Sequence, residues 1–534
     1  MPILTVKLGE RERRISFDRA GSLREILDAT DVRVRAGCRG SGSCGLCRVR
    51  IEDGYAGVPT RNERIILGDG GLRQDIRLAC QVMPEKDLSI TILAPAPRSN
   101  WRSLPEGAEE RKKRSGLDLQ EIHPEVRTPY GVAVDLGTTH IRISLFELSS
   151  GKWVAGRYGP NPQLLYGSDV MTRLIAASEA PEQALALSRQ AVGAVGDALL
   201  DMTAREGIDI AQVVRLSLVG NTTMLALLSG RNHSLLLRPD HWASAIDCLP
   251  GNGADLAISL GIHPRARIDI LPPLAGFVGS DLLAGVLTTR LTENGAGSLL
   301  VDFGTNSEIA LWDGKTLWVT SAAGGPAFEE SGVACGAPAE PGAIHRVCER
   351  DGAFHYEVIA GGDPHGVCGS GMVDLIACLV RSGRLSAAGR FTPALSGEGL
   401  TIVRGEADIV IRKRDVDLFQ RAKGAIGAGM EILMKNAGMG IGDLRRLCIG
   451  GLFGRYLDIG NARDIGLLPA ISPDLVELCG STALAGCEDT LFEPAAVERL
   501  MAIRERSRLV DMSGCPDFDE IYLKNLYLRP MSGG

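Results

Sequence analysis

Two hydrophobic periods run along this chain. Near the N-terminus, LTVKLG and RRISFD alternate apolar and polar residues on either side of Gly9–Glu10, the period-two pattern of a hairpin. Ser22 then precedes LREILDA, an N-cap followed by a short helix. CRVRI (47–51) alternates again, and LSITIL (88–93) supplies a closing strand. From Ala94 to about Pro129 apolar residues thin out in favour of Pro, Arg, Glu and Lys, as in EGAEERKKRS. That composition predicts a flexible linker, with a surface helix from about Glu106 as the alternative for part of it.

From Tyr130 onward, short β-branched runs alternate with Ala/Leu-rich helical stretches, an α/β pattern. It repeats internally. AVDLGTTHIRISLFE (133–147) matches LVDFGTNSEIALWD (300–313), and GSDLLAG (279–285) matches GSTALAG (480–486). SLVGNTT (217–223) and CIGGLFG (448–454) are corresponding strand-to-turn pieces. Copies of the same ordered elements predict a duplicated α/β domain with a cleft between its halves. The expected organisation is a β-rich unit at 1–96, a linker at 97–129, and α/β halves at 130–290 and 291–534.

Composition then narrows the class. At 534 residues the chain is too long for one core, and 45% hydrophobic with 23% charged residues is ordinary for a soluble protein. A net charge of −7 gives no reason to expect nucleic acid or an anionic membrane as partner. MPILTVKLGERERR has no signal-peptide stretch, and the apolar run Leu271 to Leu287 is broken by Gly276, Gly279, Asp281 and Gly285, so no membrane span is expected. Thirteen cysteines without a secretory signal point to a reducing, cytoplasmic setting, with metal-bound or free thiols favoured over disulfides.

The densest chemistry lies in GCRGSGSCGLC, which spaces Cys38, Cys44 and Cys47 as C-x5-C-x2-C, with Cys80 following in RLACQV. A [2Fe–2S] cluster needs four thiolates and a backbone that folds tightly around its sulfides. Gly37, Gly40, Gly42 and Gly45 permit that approach. A structural zinc site would more usually show a second knuckle. These four cysteines are therefore read as cluster ligands. The spacing resembles that of adrenodoxin-like ferredoxins, and the strand–helix–loop order resembles their β-grasp fold. Arg33, Arg35, Arg39, Arg48 and Arg50 crowd the same segment, as a solvated strand face or as a docking face for an acidic partner. Cys335, Cys348, Cys368 and Cys378 lack knuckle spacing, and Cys448, Cys479 and Cys487 fall in expected core elements, so all are expected as free thiols. His345, His355 and His365 lack a ligand rhythm and are expected on the surface or in loops.

Each D-[LF]-G-T-[TN] segment places a carboxylate at a strand end beside a glycine turn. The turn's N–H groups can bond phosphate, and the carboxylate can hold Mg²⁺ through water. Here the chain resembles the actin, Hsp70 and sugar-kinase superfamily. The resemblance implies that Asp135, Gly137, Thr138 and Thr139 form a first phosphate loop for Mg-ATP. It makes Asp302, Gly304, Thr305 and Asn306 the second, and Gly450 and Gly451 of GGLFG the adenosine loop. GSDLLAG and GSTALAG resemble the connecting helices under the cleft. Asp281 matches the position that orients attacking water in that superfamily, making it the catalytic candidate, with a helix cap as the alternative.

A ferredoxin fused to such an ATPase, together with SAAGGPAFEESGV (321–333) and GVCGSGMVDLI (366–376), is similar to the reductive activators of corrinoid proteins. The resemblance covers nearly the whole chain. It implies an ATP-hydrolysing iron–sulfur oxidoreductase that transfers one electron to the Co(II) corrinoid of a methyltransferase corrinoid protein, restoring Co(I). An unidentified donor would reduce the cluster, and a homodimer stays open. One departure is expected: family members carry a middle domain between linker and ATPase, for which residues 94–129 leave no room. Two alternatives are an ATP-dependent electron donor to another low-potential enzyme and a redox-sensing metabolite kinase. The first would hold a [4Fe–4S] cluster within the ATPase fold, and the second would phosphorylate a small molecule.

Overall fold

The computed structural model describes residues 2–8, 11–17, 21–28, 30, 32, 34, 42, 45, 47–93, 101–104, 114–117, 125–167, 169–304, 306–322, 333–339, 341–350, 353–392, 399–404 and 408–531. Cys38, Cys44, Thr305, Arg33, Arg35 and Arg39 lie outside them, as do most of SAAGGPAFEESGV and the segment where a linker helix was expected.

The alternating N-terminal runs form a five-stranded sheet in the order Arg11–Ser16, Ile3–Leu8, Leu88–Ile92, Arg48–Gly54, Ile76–Leu78. Its first two strands in sequence pair antiparallel, and Ile3–Leu8 runs parallel to Leu88–Ile92. Helix Leu23–Asp28 opens on a capping box, with the Ser22 N–H donating to Glu25 Oε2 (2.6 Å) and the Glu25 N–H to Ser22 Oγ (3.3 Å). Leu4, Val6, Leu23, Leu27, Val49, Leu78 and Ile90 make the core. This is the β-grasp ferredoxin fold.

The whole chain divides into two units. The first holds Met1–Leu165, Ala184–Leu218 and Pro250–Ile270, and the second holds Tyr166–Gln183, Val219–Leu249 and Leu271–Gly534. Beside the ferredoxin, the first unit carries a six-stranded sheet ordered Arg267–Ile270, Val213–Gly220, Tyr130–Leu136, His140–Glu147, Lys152–Pro160, Arg102–Ser103. Arg24 on the ferredoxin helix pairs with Glu206 at the end of helix Pro181–Glu206 (2.6 Å), both nearly buried.

The second unit repeats that order with Val476–Gly480, Arg446–Gly450, Ser298–Phe303, Ser307–Trp312, Leu317–Ala322, Ser507–Leu509. The Asp-Gly-Thr hairpin is central in both sheets, so the internal repeat is a structural duplication of actin-like α/β type. Within the second unit, helices Ser280–Thr288 and Thr482–Phe492 cross on their small residues. A Cβ on Gly486 would lie 2.0 Å from the Ala284 carbonyl oxygen, so only glycine allows this approach.

The linker departs from expectation where it is described. Arg102–Ser103 adds an edge strand antiparallel to Lys152–Pro160, pairing with Tyr158 and Arg157. Trp101 and Leu104 are buried against Gly159 and Gly156, where a Cβ would come within 2.7 Å and 2.6 Å of them. The Leu117 N–H donates to the Leu148 carbonyl (2.7 Å), and the Arg114 guanidinium lies over the Phe146 ring at 5.2 Å. A polar composition concealed these anchors because two apolar residues suffice when the receiving strand offers glycine sockets. The covalent connection from the ferredoxin's last strand to the first anchor is therefore only Leu93 to Asn100. At about 3.4 Å per residue it can hold the two ends no more than about 30 Å apart.

Candidate cluster and nucleotide sites

Strand Arg48–Gly54 pairs with Ile76–Leu78 so that Arg48 stands opposite Leu78, which brings the residues just outside that pair together. Cys47 and Cys80 are buried with their sulfurs 3.5 Å apart. A tetrahedral metal with bonds of about 2.3 Å sets its thiolates a little under about 4 Å apart. The two sulfurs thus fit one iron of the cluster. Gly42 and Gly45 are left-handed (φ +78° and +66°), and a Cβ there would lie 2.8 Å from Gln81 Cδ and 2.6 Å from Ile66 Cγ2. Arg48 is exposed and its Nε donates to the Gly45 carbonyl (2.8 Å), tying the cysteine loop to its strand.

Beside strand Ile76–Leu78 lies an ion pair that sequence reasoning missed. Glu63 accepts from Arg77 Nε (2.8 Å) and Nη2 (2.9 Å), from the Leu78 N–H (3.0 Å) and from the Thr60 N–H (2.8 Å). Arg77 Nη1 donates to the Ala56 and Gly57 carbonyls. Burial works to raise the Glu63 pKa, but the Arg77, Thr60 and Leu78 hydrogen bonds hold it below the ordinary carboxylate value. The available signal was T-x-x-E at Thr60–Glu63, a capping-box motif. Glu63→Ala strands Arg77 and is expected to destabilise the ferredoxin by about 3–5 kcal/mol. Thermal loss of visible cluster absorbance checks this. The pair's contribution is present above the unfolded carboxyl's pKa and is lost as pH falls through the lowered folded value.

In the first hairpin, Asp135 pairs across strands with Arg142, and Nη1 lies 3.4 Å from Oδ2. Burial raises the Asp135 pKa, and Arg142 partly offsets the rise. Gly137 fits the turn because a Cβ would meet the His140 carbonyl oxygen at 2.4 Å. Asn161 clamps this turn, its Nδ2 donating to the Gly137 carbonyl (2.9 Å) and its N–H to the Thr139 carbonyl (2.8 Å). Thr138 is buried. Burial, then Arg142 and Arg102, push His140 down to about 4, so its ring is neutral at physiological pH.

The second hairpin pairs Asp302 with Glu308. The Thr482 hydroxyl donates to Asp302 Oδ2 (2.5 Å). Gly450 passes so close that a Cβ would lie 2.8 Å from Thr482 Oγ1 and 2.9 Å from the Asp302 carboxyl carbon. Gly451 is left-handed (φ +85°) and its N–H donates to the Gly480 carbonyl (2.8 Å). Gly304 and Asn306 are half-buried. The expected second phosphate turn and adenosine loop therefore adjoin one carboxylate, Asp302. Asp281 sits in the first turn of helix Ser280–Thr288, whose N-cap is Gly279, so it is not the cap. Its Oδ1 accepts from the Leu282 N–H (2.9 Å).

Glu308 is the residue that sequence reasoning overlooked here. Burial, then repulsion from Asp281 and Asp302, push its pKa well above the ordinary carboxylate range, and the Ser321 hydroxyl (3.3 Å) only partly opposes them. Asp281 and Asp302 thus both repel Glu308, and a divalent cation held at Asp302 would relieve that repulsion. Because the folded-state pKa of Glu308 is raised, its ionisation opposes folding as pH rises above the unfolded value. The thermal midpoint of nucleotide-free protein should show this component as a decline as pH rises above the ordinary carboxylate value, which Glu308→Gln should remove. Differential scanning fluorimetry of both proteins checks this.

Residues 6–85 match the 2Fe-2S iron-sulfur cluster binding domain, 130–294 the RACo middle region, and 296–532 the C-terminal domain of RACo, the ASKHA domain. The expected lack of a middle domain is thereby corrected. Residues read as the first ATPase half are the ones matched to the middle region, a match hidden by the Asp-Gly-Thr hairpin that both halves share. The corrinoid activation enzyme RamQ of Eubacterium limosum is 31% identical over 433 residues, covering 77% of this chain and 72% of RamQ. The [Co(II) methylated amine-specific corrinoid protein] reductase of Methanosarcina barkeri is 26% identical over 434 residues, 74% and 76% of the two chains. A solved structure, a reductive activator for corrinoid, iron-sulfur protein, shares the fold over 100% of this chain and 99% of its own, with a TM-score of 0.69 at 24% identity. Among the described residues, no helix is long and apolar enough to cross a membrane.

Proposed function

The chain belongs to the family of corrinoid activation enzymes, and on that premise we propose that it is an ATP-dependent reductive activator of a methyltransferase corrinoid protein. It passes one electron from a [2Fe–2S] cluster to a Co(II) corrinoid and restores Co(I). The observation that carries this reading is the fusion in one chain of a buried thiolate pair at iron spacing with a duplicated Asp-Gly-Thr fold. Cys38, Cys44, Cys47 and Cys80 hold the cluster, which when bound supplies a one-electron carrier. The Mg-ATP residues are Asp135, Gly137, Thr138 and Thr139 of the first hairpin, and Asp302, Gly304, Thr305, Asn306, Gly450 and Gly451 of the second hairpin and its adjoining loop. Asp302 would hold the Mg²⁺, whose charge would favour the ionised form of Glu308, and Asp281 orients the attacking water. The domain boundaries are 1–96, 97–129, 130–290 and 291–534, of which the last two are supported by the family regions at 130–294 and 296–532.

Co(I) is a strong reductant, so the transfer runs uphill. For one electron, about 59 mV is a tenfold change in equilibrium constant, and a deficit of about 0.25 V is about four decades, or about 6 kcal/mol. ATP can supply this only by binding more tightly to the conformation in which cobalt is easier to reduce. The partners are the corrinoid protein and an external reductant, in the cytoplasm, with no role for nucleic acid or membrane. ATP turnover should rise severalfold when Co(II) corrinoid protein is added. Turnover that ignores the corrinoid protein and instead yields a phosphorylated small molecule would favour a redox-sensing kinase.

A further inference from the structure

Cys448 and Cys479, expected as free thiols in core elements, lie side by side. Strands Arg446–Gly450 and Val476–Gly480 run parallel, with Cys448 opposite Glu477 and Ile449 opposite Leu478. The register then slips, Gly450 pairs with Gly480, and Cys479 is the extra residue of the bulge. Both sulfurs and a Glu477 carboxylate oxygen lie within 4.8 Å of one another. Cys448 is fully buried, whereas Cys479 is half-buried on an edge strand of the sheet.

We propose that Cys479 and Cys448 form an oxidative modification site, in which a peroxide oxidises Cys479 and Cys448 then closes a disulfide beside the Gly450–Gly451 loop. The chemistry divides naturally between the two thiols. The Cys448 S–H, hydrogen-bonded to Cys479, holds the Cys479 thiol below its ordinary value against burial, and the same bond with burial raises Cys448. The half-exposed sulfur is therefore the nucleophile and the buried one resolves it. The Cys479 thiolate forms an S–O bond as the peroxide O–O bond breaks, and the departing hydroxide takes a proton to become water. Cys448 then loses its proton, forms the S–S bond and displaces the second oxygen as water. Two thiols and one hydrogen peroxide thus give one disulfide and two waters, with two electrons passing from sulfur to oxygen. A low-potential centre that meets dioxygen reduces it toward peroxide, so under the proposed function the oxidant arises where electrons are being lost.

The consequence for nucleotide rests on the site assigned above. A disulfide brings its sulfurs to about 2.05 Å, drawing the strands together. Gly450 and Gly480 lie immediately beyond, and Gly450 is already in closest contact with Asp302 and Thr482. A shift there moves the phosphate-side carboxylate, so the disulfide should suppress ATP turnover.

The test uses full-length protein, reduced under anaerobic conditions and then treated with one equivalent of hydrogen peroxide. Peptide mass spectrometry should show a Cys448–Cys479 link. ATP hydrolysis should fall at least fivefold and return with dithiothreitol. Cys479→Ser and Cys448→Ala should keep the reduced-state hydrolysis and lose the peroxide response, and the half-exposed position guards against a folding failure at the buried one. Cys479 recovered unmodified, or as sulfinic acid without a link, overturns the proposal. A link with unchanged hydrolysis overturns its coupling to nucleotide. Failure of the nucleotide assignment itself would show separately, as normal hydrolysis in Asp302→Ala with the link still formed.

Discussion

Asp302→Ala is expected to lower Mg-ATP hydrolysis by at least about 10²- to 10³-fold, the cost of losing one preorganised charged group at a phosphoryl-transfer site. Asp302 is the penultimate residue of strand Ser298–Phe303 and holds the Thr482 hydroxyl at 2.5 Å, with Gly450 packed against its carboxyl. Glu308, on the facing strand, is a poor substitute, because burial and the Asp281 and Asp302 charges push its pKa up. Alanine removes part of that repulsion, so Glu308 should ionise more readily in the variant, but from the facing strand and with different reach. Asp135→Ala should also abolish hydrolysis, since it removes the buried carboxylate of the first hairpin and leaves its partner Arg142 uncompensated. Phosphate release measures both. The visible spectrum of the ferredoxin should be unchanged, as its core is separate from either hairpin.

Cys80→Ser should abolish Co(II) reduction while sparing ATP hydrolysis. The substitution leaves three thiolates for a centre that needs four, and it breaks the buried 3.5 Å pair with Cys47. Purified anaerobically, wild-type protein should contain two irons and two sulfides per chain and give a rhombic S = 1/2 signal after one-electron reduction. The variant should lose most of its iron and that signal. Zinc-only wild-type protein that resists iron reconstitution would sink the cluster assignment.

Much of this architecture was legible in residue order. Alternation in LTVKLG, RRISFD and LSITIL marked the ferredoxin strands, and the matched AVDLGTT and LVDFGTN segments marked the duplication that the two sheets repeat. What stayed hidden depends on partners distant in sequence. Trp101 and Leu104 look like stray apolar residues in a polar stretch until Gly156 and Gly159 are placed beneath them. Glu308 reads as a polar strand residue until register sets it opposite Asp302 and burial removes its solvent. Cys448 and Cys479 lie on segments separated by a helix, and the bulge that adjoins them has no signature in either segment.

The anchored linker also changes how the cluster is expected to travel. A free chain of about 30 residues would span about 30 Å r.m.s.. With Trp101 docked, the connection is Leu93 to Asn100. Trp101→Gly with Leu104→Gly should release the edge strand and lengthen the tether, altering the rate of ATP-dependent Co(II) reduction but not basal ATP hydrolysis.

The central claim is that ATP binding and hydrolysis drive electrons from the cluster onto cobalt. It is tested most directly by following Co(I) absorbance when chemically reduced protein meets Co(II) corrinoid protein with and without Mg-ATP. Co(I) should accumulate only with Mg-ATP, and neither Asp302→Ala nor Cys80→Ser should support it. Equal accumulation of Co(I) without nucleotide, or in Asp302→Ala, would contradict the account.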